Sequence, residues 1–517
     1  MADQSFSWLR WDHDLQKVGP QNLADSVAEH FNNATIHFPY SIAQRLRSKM
    51  IDLGLARIGR LLQYGPPPAW KAIHVAGTNG KGSVCAYLSA MLHARGIPSA
   101  RFTSPHLVDR WDCIVVDERV VSETAFRAAE QTVLQRDGAE QIGATEFELL
   151  TATAFEVFNA SLPSASPSTP SFGVIECGLG GSLDATTAMR ADRAVTVVTR
   201  IGLDHQGFLG STTAAIAAHK AGIMRPGVPC VVDLANRDDH AVRDVLEARA
   251  RDVGTTLVYP DPQLFLRGDR TTHGSSETSP VAQLGLEPHQ LTNLACAYAA
   301  FRIATGQDGG QAAAEAYTEA DAAFVASIAL QLRWPGRLQT LNVGPLLKAN
   351  KGGPLPGAAP SVPALLDGAH NPQSADALAA YVDKHLRGEK GQAVTWILAA
   401  SHGKDLDEIL RPILRPGDRV AAVAFGPVDG MPWVRPTAPE AILERATLLG
   451  VDAAIDQYSA TDKTVKNDSV VSALQWATST DKGRGNAIVI AGSLYLVSDT
   501  LRLLRAAGGE TGLPRAL

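Results

Sequence analysis

The chain has 517 residues, with 47 Lys and Arg against 53 Asp and Glu, which gives a formal net charge of −6. This balance excludes a protein that coats nucleic acid or an anionic membrane by bulk charge. Hydrophobic residues make up 45% and charged residues 19%, an ordinary globular composition. No apolar run approaches the ~18 residues that a membrane helix needs. We therefore expect neither a nucleic-acid partner nor a membrane partner.

The N-terminus and the cysteines bear on the compartment. Residues 1–45 include acidic side chains such as Asp3, Asp12 and Glu29, whereas transit peptides are poor in acids. The five cysteines are scattered without a CxxC pair, which argues against a disulfide scaffold or a zinc cluster and favours buried thiols in a reducing compartment. We expect a cytoplasmic monomer with an N-terminal extension, and mitochondrial import stays open.

Short apolar strands alternate with Ala-rich helical stretches along the chain. "KAIHVAG" (71–77) predicts a buried strand, and the run from Ser83 to Arg95 predicts a helix that ends at Gly96. Further strands are predicted at 172–178, 193–202 and 227–233, and a helix over 240–254. This alternation is typical of a parallel sheet with helices on both faces. The fold class is therefore α/β.

Two stretches rich in Pro, Gly and Ser, at 161–171 and 348–363, predict surface loops. A new series of strand-like segments follows the second stretch, so we place a domain boundary near 330–335. The predicted organisation is an extension over 1–45, a first domain over 46–332 and a second domain over 333–517.

The strongest local motif is "HVAGTNGKGS" (74–83), which follows a strand and opens a helix. Its glycines allow a tight turn, and the backbone N–H groups at the helix start can face an anion. Lys81 adds a positive charge, and Ser83 can offer a hydroxyl to Mg²⁺. Gly82 departs from the usual GxxxxGK[ST] pattern, so a purely structural turn is the alternative. The predicted nucleotide-binding residues are Thr78, Asn79, Gly80, Lys81, Gly82 and Ser83.

Eight motifs in order resemble one family. They are GTNGKGS, TSPHL (103–107), TEFELLTATAF (145–155), ECGLGGSLDATT (176–187), IGLDHQGFLG (201–210), AAHKAGIMRPG (217–227), RWPGRLQ (333–339) and LDGAHNP (366–372). Their layout is similar to that of the folylpolyglutamate synthase/dihydrofolate synthase family, within the Mur-ligase-like ATP-dependent amide ligases. The resemblance covers roughly residues 50–500. It implies an N-terminal Mur-ligase-like ATPase domain with a P-loop and a smaller, Rossmann-like C-terminal α/β domain.

The resemblance also implies cofactor roles. Glu148 in the T-x-F-E pattern corresponds to a Mg²⁺ ligand, and His205 corresponds to a ligand of a second Mg²⁺. Lys220 corresponds to a catalytic lysine that carries a carbamate made from CO₂; burial would favour the neutral amine that this reaction needs. The family usually has Glu before this lysine, and this chain has His219. ATP and two Mg²⁺ ions are thus the expected cofactors.

The resemblance also implies which residues bind the acceptor substrate. The predicted substrate-binding residues there are Ser104, Pro105, His106, Thr145, Phe147 and Asp184. Thr187 departs from the family's D-A-T-N pattern, and the segment from Arg110 to Ile114 departs from its R-E-R-I pattern. These departures bear on acceptor specificity.

The remaining implied contacts come from the region after residue 290. Asn293 corresponds to a residue beside adenine, Arg337 to a phosphate ligand, and Asp367 and His370 to residues at the ribose and the reacting centre. Lys404 and Ser493 are weaker candidates for binding the incoming glutamate.

The activity that we expect is dihydrofolate synthesis, in which L-glutamate is joined to dihydropteroate. A folylpolyglutamate synthase that uses folates, or a bifunctional enzyme, is the alternative. A non-catalytic nucleotide-binding protein is a remote alternative, because such a protein would be expected to have lost Lys81, Glu148 or Lys220.

Overall fold

The computed structural model describes residues 52–163, 170–266, 279–307, 317–348, 361–388, 391–453, 469–479 and 485–513. The N-terminal extension expected over 1–45 lies outside these ranges, as do most of the residues of the two Pro-rich stretches. Among the described residues, no helix has the length and apolarity needed to cross a bilayer.

The first sheet has eight strands, in the spatial order β4-β3-β2-β5-β1-β6-β7-β8. Its pairs from β2 to β8 are parallel, and β3 and β4 add an antiparallel edge. The strands are β1 (Lys71–Ala76), β2 (Ser99–Phe102), β3 (Ile114–Val116), β4 (Arg119–Val120), β5 (Phe172–Glu176), β6 (Arg193–Val198), β7 (Cys230–Val232) and β8 (Leu257–Val258).

Helices cover both faces of this sheet, as strand–helix alternation predicts. They are α1 (Ala56–Gln63), α2 (Lys81–Ala94), α3 (Glu123–Ala139), α4 (Glu146–Ser161), α5 (Gln206–Leu209), α6 (Thr213–Ala221), α7 (Ala235–Asp238), α8 (His240–Val253), α9 (Pro288–Ala304) and α10 (Glu319–Gln331). One apolar cluster joins the sheet to α2 and α9, and another joins the opposite face to α1, α3 and α4. The sheet and these helices form the first lobe.

The second sheet has six strands, in the order β13-β12-β11-β14-β10-β9, and only its β9–β10 pair is antiparallel. The strands are β9 (Gln339–Asn342), β10 (Pro363–Leu366), β11 (Val394–Leu398), β12 (Arg419–Ala422), β13 (Asp452–Ala453) and β14 (Ala487–Ala491). The helices are α11 (Gly344–Lys348), α12 (Pro372–Val382), α13 (Leu406–Ile413), α14 (Pro439–Leu448), α15 (Ser469–Ser479) and α16 (Leu494–Ala506). These elements form the second lobe.

The two sheets explain where a site can form. In the first lobe β2, β5, β1 and β6 are parallel neighbours, so the segments that follow them meet at one edge. In the second lobe β11, β14 and β10 are also parallel neighbours. Ligand sites of α/β proteins collect at the carboxyl ends of such strands. The chain passes from one lobe to the other between α10 and β9, through the segment that contains RWPGR.

Candidate functional site

The phosphate loop, residues 77–83, connects β1 to α2. Gly77 has φ +150°, and Gly80, which caps α2, has φ +93°, both in the region that L side chains rarely adopt. A Cβ on Gly77 would lie 1.8 Å from Thr199 Oγ1. The amides of Thr78 and Asn79 donate to the Arg200 carbonyl, over 2.9 and 3.2 Å. The loop is therefore held on the segment that follows β6, and the N-terminus of α2 lies at its end.

Two other segments reach this loop. A Cβ on Gly80 would lie 2.2 Å from Asn293 Oδ1, so the buried Asn293 of α9 contacts the loop directly. A Cβ on Gly82 would lie 3.1 Å from the indole of Trp334, which stands in the segment between the lobes. The extra glycine in the motif thus allows an aromatic ring to pack on the helix start.

Glu176 lies beside the phosphate loop. It ends β5, and its carboxylate is 3.9 Å from Lys81 Nζ. Its Oε2 accepts the Ser104 amide over 3.2 Å. Burial raises the pKa of Glu176, and the charges of Lys81 and Arg337 oppose the rise. The Ser104 hydroxyl is buried and has no hydrogen-bond partner among the residues that the structure describes. The Glu176 carboxylate is therefore next to Lys81, and Ser104 lies next to that carboxylate.

Lys220 is buried in α6 and reaches the same loop. Its Nζ donates to the Gly77 carbonyl over 2.7 Å. Burial, together with the charge of Lys81, lowers the pKa of Lys220 to about 7. Near neutral pH a large share of this amine is therefore unprotonated, which is the form that can react as a nucleophile.

Asp204 is the centre of a charged cluster that joins the two lobes. It forms an ion pair with Lys404, and His370 Nε2 lies 3.5 Å from its carboxylate. Burial alone would raise the pKa of Asp204, but the hydrogen bond from His370 and the charges of His205 and Lys404 hold it well below its usual range. His370 Nδ1 lies 2.8 Å from the Gly368 carbonyl. His205 lies 4.0 Å from Asp204 and adopts φ +52°.

An amide cluster continues this junction. Asn79 Nδ2 donates to Asn371 Oδ1 over 3.2 Å and to Gln373 Oε1 over 2.9 Å. Asn371 Nδ2 donates to Asn79 Oδ1 over 3.0 Å and to Asp204 over 3.2 Å. A phosphate-loop side chain is therefore bonded to the start of α12 in the second lobe.

Glu148 has different surroundings from those that the sequence predicts for a metal ligand. Its Oε2 accepts the Thr145 amide over 2.7 Å, which completes a capping box at the start of α4, and pairs with Arg57 over 2.9 Å. Its Oε1 is buried without a hydrogen-bond partner in the part of the chain that is described. These contacts are those of a helix cap, and it is Glu176 that lies at the phosphate loop.

The predicted acceptor residues divide into two groups. Phe147 stacks on Phe102 with ring centroids 6.2 Å apart and packs over Gly178, where a Cβ would lie 2.3 Å from the ring. Asp184 is buried, and its oxygens accept the amides of Leu179 and Thr186. Thr145 caps α4. These residues belong to the wall formed by β2, α4 and the segment after β5.

The segment 103–112 contains the second group. His106 is buried, and burial with the charge of Arg110 lowers its pKa to about 4. The Asp112 carboxylate accepts the amides of Leu107, Val108 and Asp109. Burial raises the pKa of Asp112 to about 6, against these hydrogen bonds. One carboxylate therefore fixes the turn that follows Ser104 and Pro105.

Three predicted residues of the second lobe make mainly local contacts. Asp367 is buried, and its two oxygens accept the amides of Leu338 and Ala369, each over 2.8 Å. Ser493 caps α16 and accepts the Tyr495 amide over 3.2 Å. Arg337 donates to the Gly336 carbonyl over 3.0 Å and lines the cleft between the lobes.

The interdomain cleft encloses about 620 Å³, including the part that opens to solvent. Its first-lobe wall includes Thr103, Ser104, Pro105 and Glu176. Its second wall comes from beyond α10, and consists of Trp334, Pro335, Arg337, Leu494 and Leu513.

Sequence reasoning missed four residues of this site. Glu176, Asp204 and Asn371 lie in the motifs quoted above, but without an assigned site role, and Gln373 lies one residue beyond the last of those motifs. The position of Glu176 directly after a buried strand was a usable signal. Nothing in the sequence indicates that Asn79 pairs with Asn371 and Gln373, because these pairs span almost 300 positions.

The chain is similar to several known proteins over most of its length. The family model "Dihydrofolate synthetase, C-terminal domain" matches residues 356–503. A dihydrofolate synthetase of Saccharomyces cerevisiae is 34% identical over 458 residues, which cover 88% of this chain and 98% of that protein. A probable dihydrofolate synthetase of Schizosaccharomyces pombe is 33% identical, with 88% and 99% covered.

A solved structure, E. coli FolC in complex with DHPP and ADP, matches with a TM-score of 0.64 and 25% identity, covering 91% of this chain and 98% of that one. The two-lobed α/β fold expected from the sequence is thereby confirmed. The chain belongs to the folylpolyglutamate synthase/dihydrofolate synthase family of ATP-dependent amide ligases.

Proposed function

We propose that the protein is a dihydrofolate synthase, which joins L-glutamate to dihydropteroate at the expense of ATP. The observation that carries the proposal is the similarity to the S. cerevisiae dihydrofolate synthetase, at 34% identity across 98% of that relative's length. The alternative, a folylpolyglutamate synthase or bifunctional enzyme, is a family relative: a Bacillus subtilis protein named for both activities is 26% identical.

The proposed reaction has two steps. The acceptor carboxylate attacks the γ-phosphorus of ATP, which gives an acyl phosphate and ADP. The amine of glutamate then attacks the acyl carbon, loses a proton and displaces inorganic phosphate, so that an amide bond forms. Catalysis of this kind depends mostly on positioning and charge neutralisation.

The ATP phosphates fit the phosphate loop. The N-terminus of α2 lies at this loop, and helix N-termini attract anions through their backbone N–H groups and the positive end of the helix dipole. Lys81 lies at this end, 3.9 Å from Glu176. Relatives support the nucleotide: E. coli FolC was solved with ADP, and a Mycobacterium tuberculosis folylpolyglutamate synthase, 25% identical, with ADP and AMPPCP. We therefore assign ATP to this loop, with Asn293 and Arg337 as further contacts.

The residues present fit a magnesium ion. Mg²⁺ in nucleotide sites is held by one or two protein oxygens together with phosphates and waters. Among the described residues, no group of three or more His, Cys, Asp and Glu side chains could hold a metal ion without other ligands. A Mg²⁺ site at a nucleotide does not need such a group, because phosphates and waters supply the other ligands. We propose Glu176 and Ser83 as ligands and move the assignment away from Glu148. His205 keeps its proposed role at a second ion. Bound Mg²⁺ would supply charge neutralisation of the phosphates.

Lys220 is proposed to carry a carbamate. The neutral Nζ adds to CO₂ and releases a proton, which leaves an anion in place of a buried cation. The hydrogen bond to Gly77 and a pKa of about 7 support this proposal. The anion would help to hold cations near the phosphate loop.

We propose that the two substrates bind to opposite walls of the cleft. The acceptor is proposed to lie along Phe147, Asp184 and the segment Ser104–His106, so that its carboxylate points toward Lys81. Glutamate is proposed to enter from the second lobe near His370, Lys404 and Ser493. The ion pair of Lys404 with Asp204 means that this side chain also joins the lobes.

We also propose that the protein is cytoplasmic and that it acts as a monomer.

The experiment is ADP release by purified protein with Mg-ATP and L-glutamate, with dihydropteroate or tetrahydrofolate as the acceptor. Turnover with dihydropteroate alone is the expected result. Turnover with tetrahydrofolate alone refutes the proposal in favour of polyglutamylation, and turnover with both identifies a bifunctional enzyme. If folded protein releases no ADP with either acceptor, the proposed ligase activity on these acceptors is refuted.

A further inference from the structure

The segment that follows β2, residues 103–112, starts in the first lobe and docks on the second lobe. Val108 in this segment is 5% exposed and belongs to the apolar cluster that the second sheet forms with α11, α15 and α16. Among the described residues, every other buried member of that cluster lies in the second lobe. A side chain of the first lobe is therefore part of the core of the second lobe.

Two arginines of α16 hold the chain at Val108. Arg505 forms a bidentate ion pair with Asp109, with Nη1–Oδ2 and Nη2–Oδ1 distances of 2.5 and 3.0 Å. Arg502 Nη2 donates to the Val108 carbonyl over 3.5 Å. A fork of this kind fixes direction as well as distance. The ion pair joins positions that are 396 residues apart in the chain.

Arg110 extends the docking to another part of the second lobe. Its guanidinium pairs with Glu130 of α3 over 2.8 Å and with Glu146 of α4 over 3.3 Å. A Cβ on Gly430, which lies between β12 and α14, would be 2.3 Å from Arg110 Nη1. The carboxylates of the first lobe therefore hold Arg110 where the backbone of the second lobe packs against it.

The docked residues and the residues that line the cleft belong to one turn. The Asp112 carboxylate accepts the amides of Leu107, Val108 and Asp109, over 2.8, 2.6 and 2.9 Å. The cleft is lined from the same segment by Thr103, Ser104, Pro105, Leu107 and Asp112. Because one carboxylate ties the two parts together, a displacement of Val108 also displaces the cleft wall.

The phosphate loop is held in a different way. Its amides donate to the Arg200 carbonyl, and it contacts Asn293, and both of these residues lie in the first lobe. Loss of the docking should therefore affect binding along the segment 103–112 more than binding at the phosphate loop.

We propose that Val108 and Arg505 are positioning residues for the acceptor, because through them the second lobe sets where the cleft wall of residues 103–107 stands. The proposal rests on the proposed function, in which the acceptor lies along this wall. Neither Val108 nor Arg505 is among the residues that line the cleft. They act through the turn that Asp112 holds, and not by touching the substrate.

The test measures KM for the acceptor, KM for ATP and kcat in Val108→Ala and Arg505→Met. Truncation of a buried valine removes apolar contacts. We therefore expect KM for dihydropteroate to rise by roughly tenfold in Val108→Ala, equivalent to about 1.4 kcal/mol. The ion pair is partly exposed and contributes less, so the rise in Arg505→Met should be about threefold. KM for ATP should stay near the wild-type value in both variants.

Val470→Ala and Arg411→Met are the matched controls. Val470 of α15 is a buried member of the same apolar cluster, so its truncation should lower the melting temperature and leave both KM values unchanged. Arg411 forms an exposed ion pair with Asp407 on α13 and should show no effect. Arg505→Lys keeps the charge without the fork, so its KM for the acceptor should fall between those of wild type and Arg505→Met.

The outcomes separate this proposal from the proposed function. Wild-type protein that turns over neither dihydropteroate nor tetrahydrofolate refutes the proposed function and this proposal with it. If wild type uses only tetrahydrofolate, the proposed function alone is refuted, and the variants are compared with that acceptor, for which a selective rise in KM supports the positioning role.

In active protein, an unchanged KM for the acceptor in Val108→Ala overturns the role of Val108, and the same result in Arg505→Met overturns that of Arg505. An equal rise in KM for ATP, or the same rise for the acceptor in Val470→Ala, overturns both roles, since either result shows a general loss of structure. Arg505→Met decides the matter if Val108→Ala does not fold, because Arg505 is partly exposed.

Discussion

Lys404, after the third strand of the second lobe, forms an ion pair with Asp204, after β6 of the first lobe. The pair joins positions that are 200 residues apart, and Asp204 also faces His370. Because Asp204 is buried at this junction, the pair can report whether the lobes are closed around the substrates.

The first prediction concerns this pair. Lys404→Met leaves the Asp204 carboxylate buried with one cationic partner fewer, so closure should weaken. We expect kcat/KM to fall by about tenfold, equivalent to about 1.4 kcal/mol. Steady-state ADP release measures it. Arg249→Met is the control, because Arg249 pairs with Asp252 at an exposed position, where ion pairs contribute little. Equal activities of the two variants would contradict the prediction.

The second prediction distinguishes the two candidate metal ligands. Glu176→Gln should lower kcat by about 100-fold or more and raise the Mg²⁺ concentration needed for half-maximal rate, since metal sites are sensitive to such changes. Glu148→Gln should act mainly on stability, because it weakens the Arg57 ion pair and the α4 cap. Mg²⁺ titrations and melting temperatures check both. The reverse pattern would return the metal role to Glu148.

The third prediction concerns Gly82. Its φ lies outside the left-handed region, so Gly82→Ala acts only through contact: the new Cβ would meet the Trp334 indole at 3.1 Å. We expect kcat/KM to fall by about tenfold, equivalent to about 1.4 kcal/mol, and to recover in part when Trp334→Leu is added. The double-mutant cycle measures this coupling. Strictly additive effects of the two changes would show that the contact is not responsible.

The fourth prediction is a pH dependence from Lys220. Burial lowers its pKa to about 7, whereas an unfolded lysine titrates near 10.4. Between these values the unfolded chain binds more protons, so the free energy of unfolding rises with pH from about 7 to about 10. Lys220→Met should lose ligase activity, gain stability at pH 6 and lack this part of the pH dependence.

Melting temperatures at pH 6 and pH 9, in CO₂-depleted buffer, measure the effect. One pKa unit corresponds to about 1.4 kcal/mol, so the difference between wild type and variant should be large enough to detect. Arg225→Met, next to the same helix, is the control. A parallel pH dependence in wild type and Lys220→Met would rule out Lys220 as its source.

Local sequence patterns were enough to predict most of the strands and helices of the first lobe and the position of the phosphate loop. Strand–helix alternation and the buried strand before "GTNGKGS" predicted the α/β fold, and β1 with α2 lies where this pattern places it. The glycine pattern predicted the turn because Gly77 and Gly80 adopt backbone angles that other residues avoid. Such signals are local, so a sequence can carry them in a few neighbouring positions.

Which side chains meet at the site depends on tertiary packing. The T-x-F-E pattern predicts Glu148 as a metal ligand, which stays a prediction; in the structure Glu148 caps α4, and Glu176 lies beside Lys81. The pairs Asn79–Asn371 and Asp204–Lys404, and the return of Leu513 to the cleft, join segments from distant parts of the chain. Their positions depend on strand order and on the packing of two lobes, which no short stretch of sequence specifies.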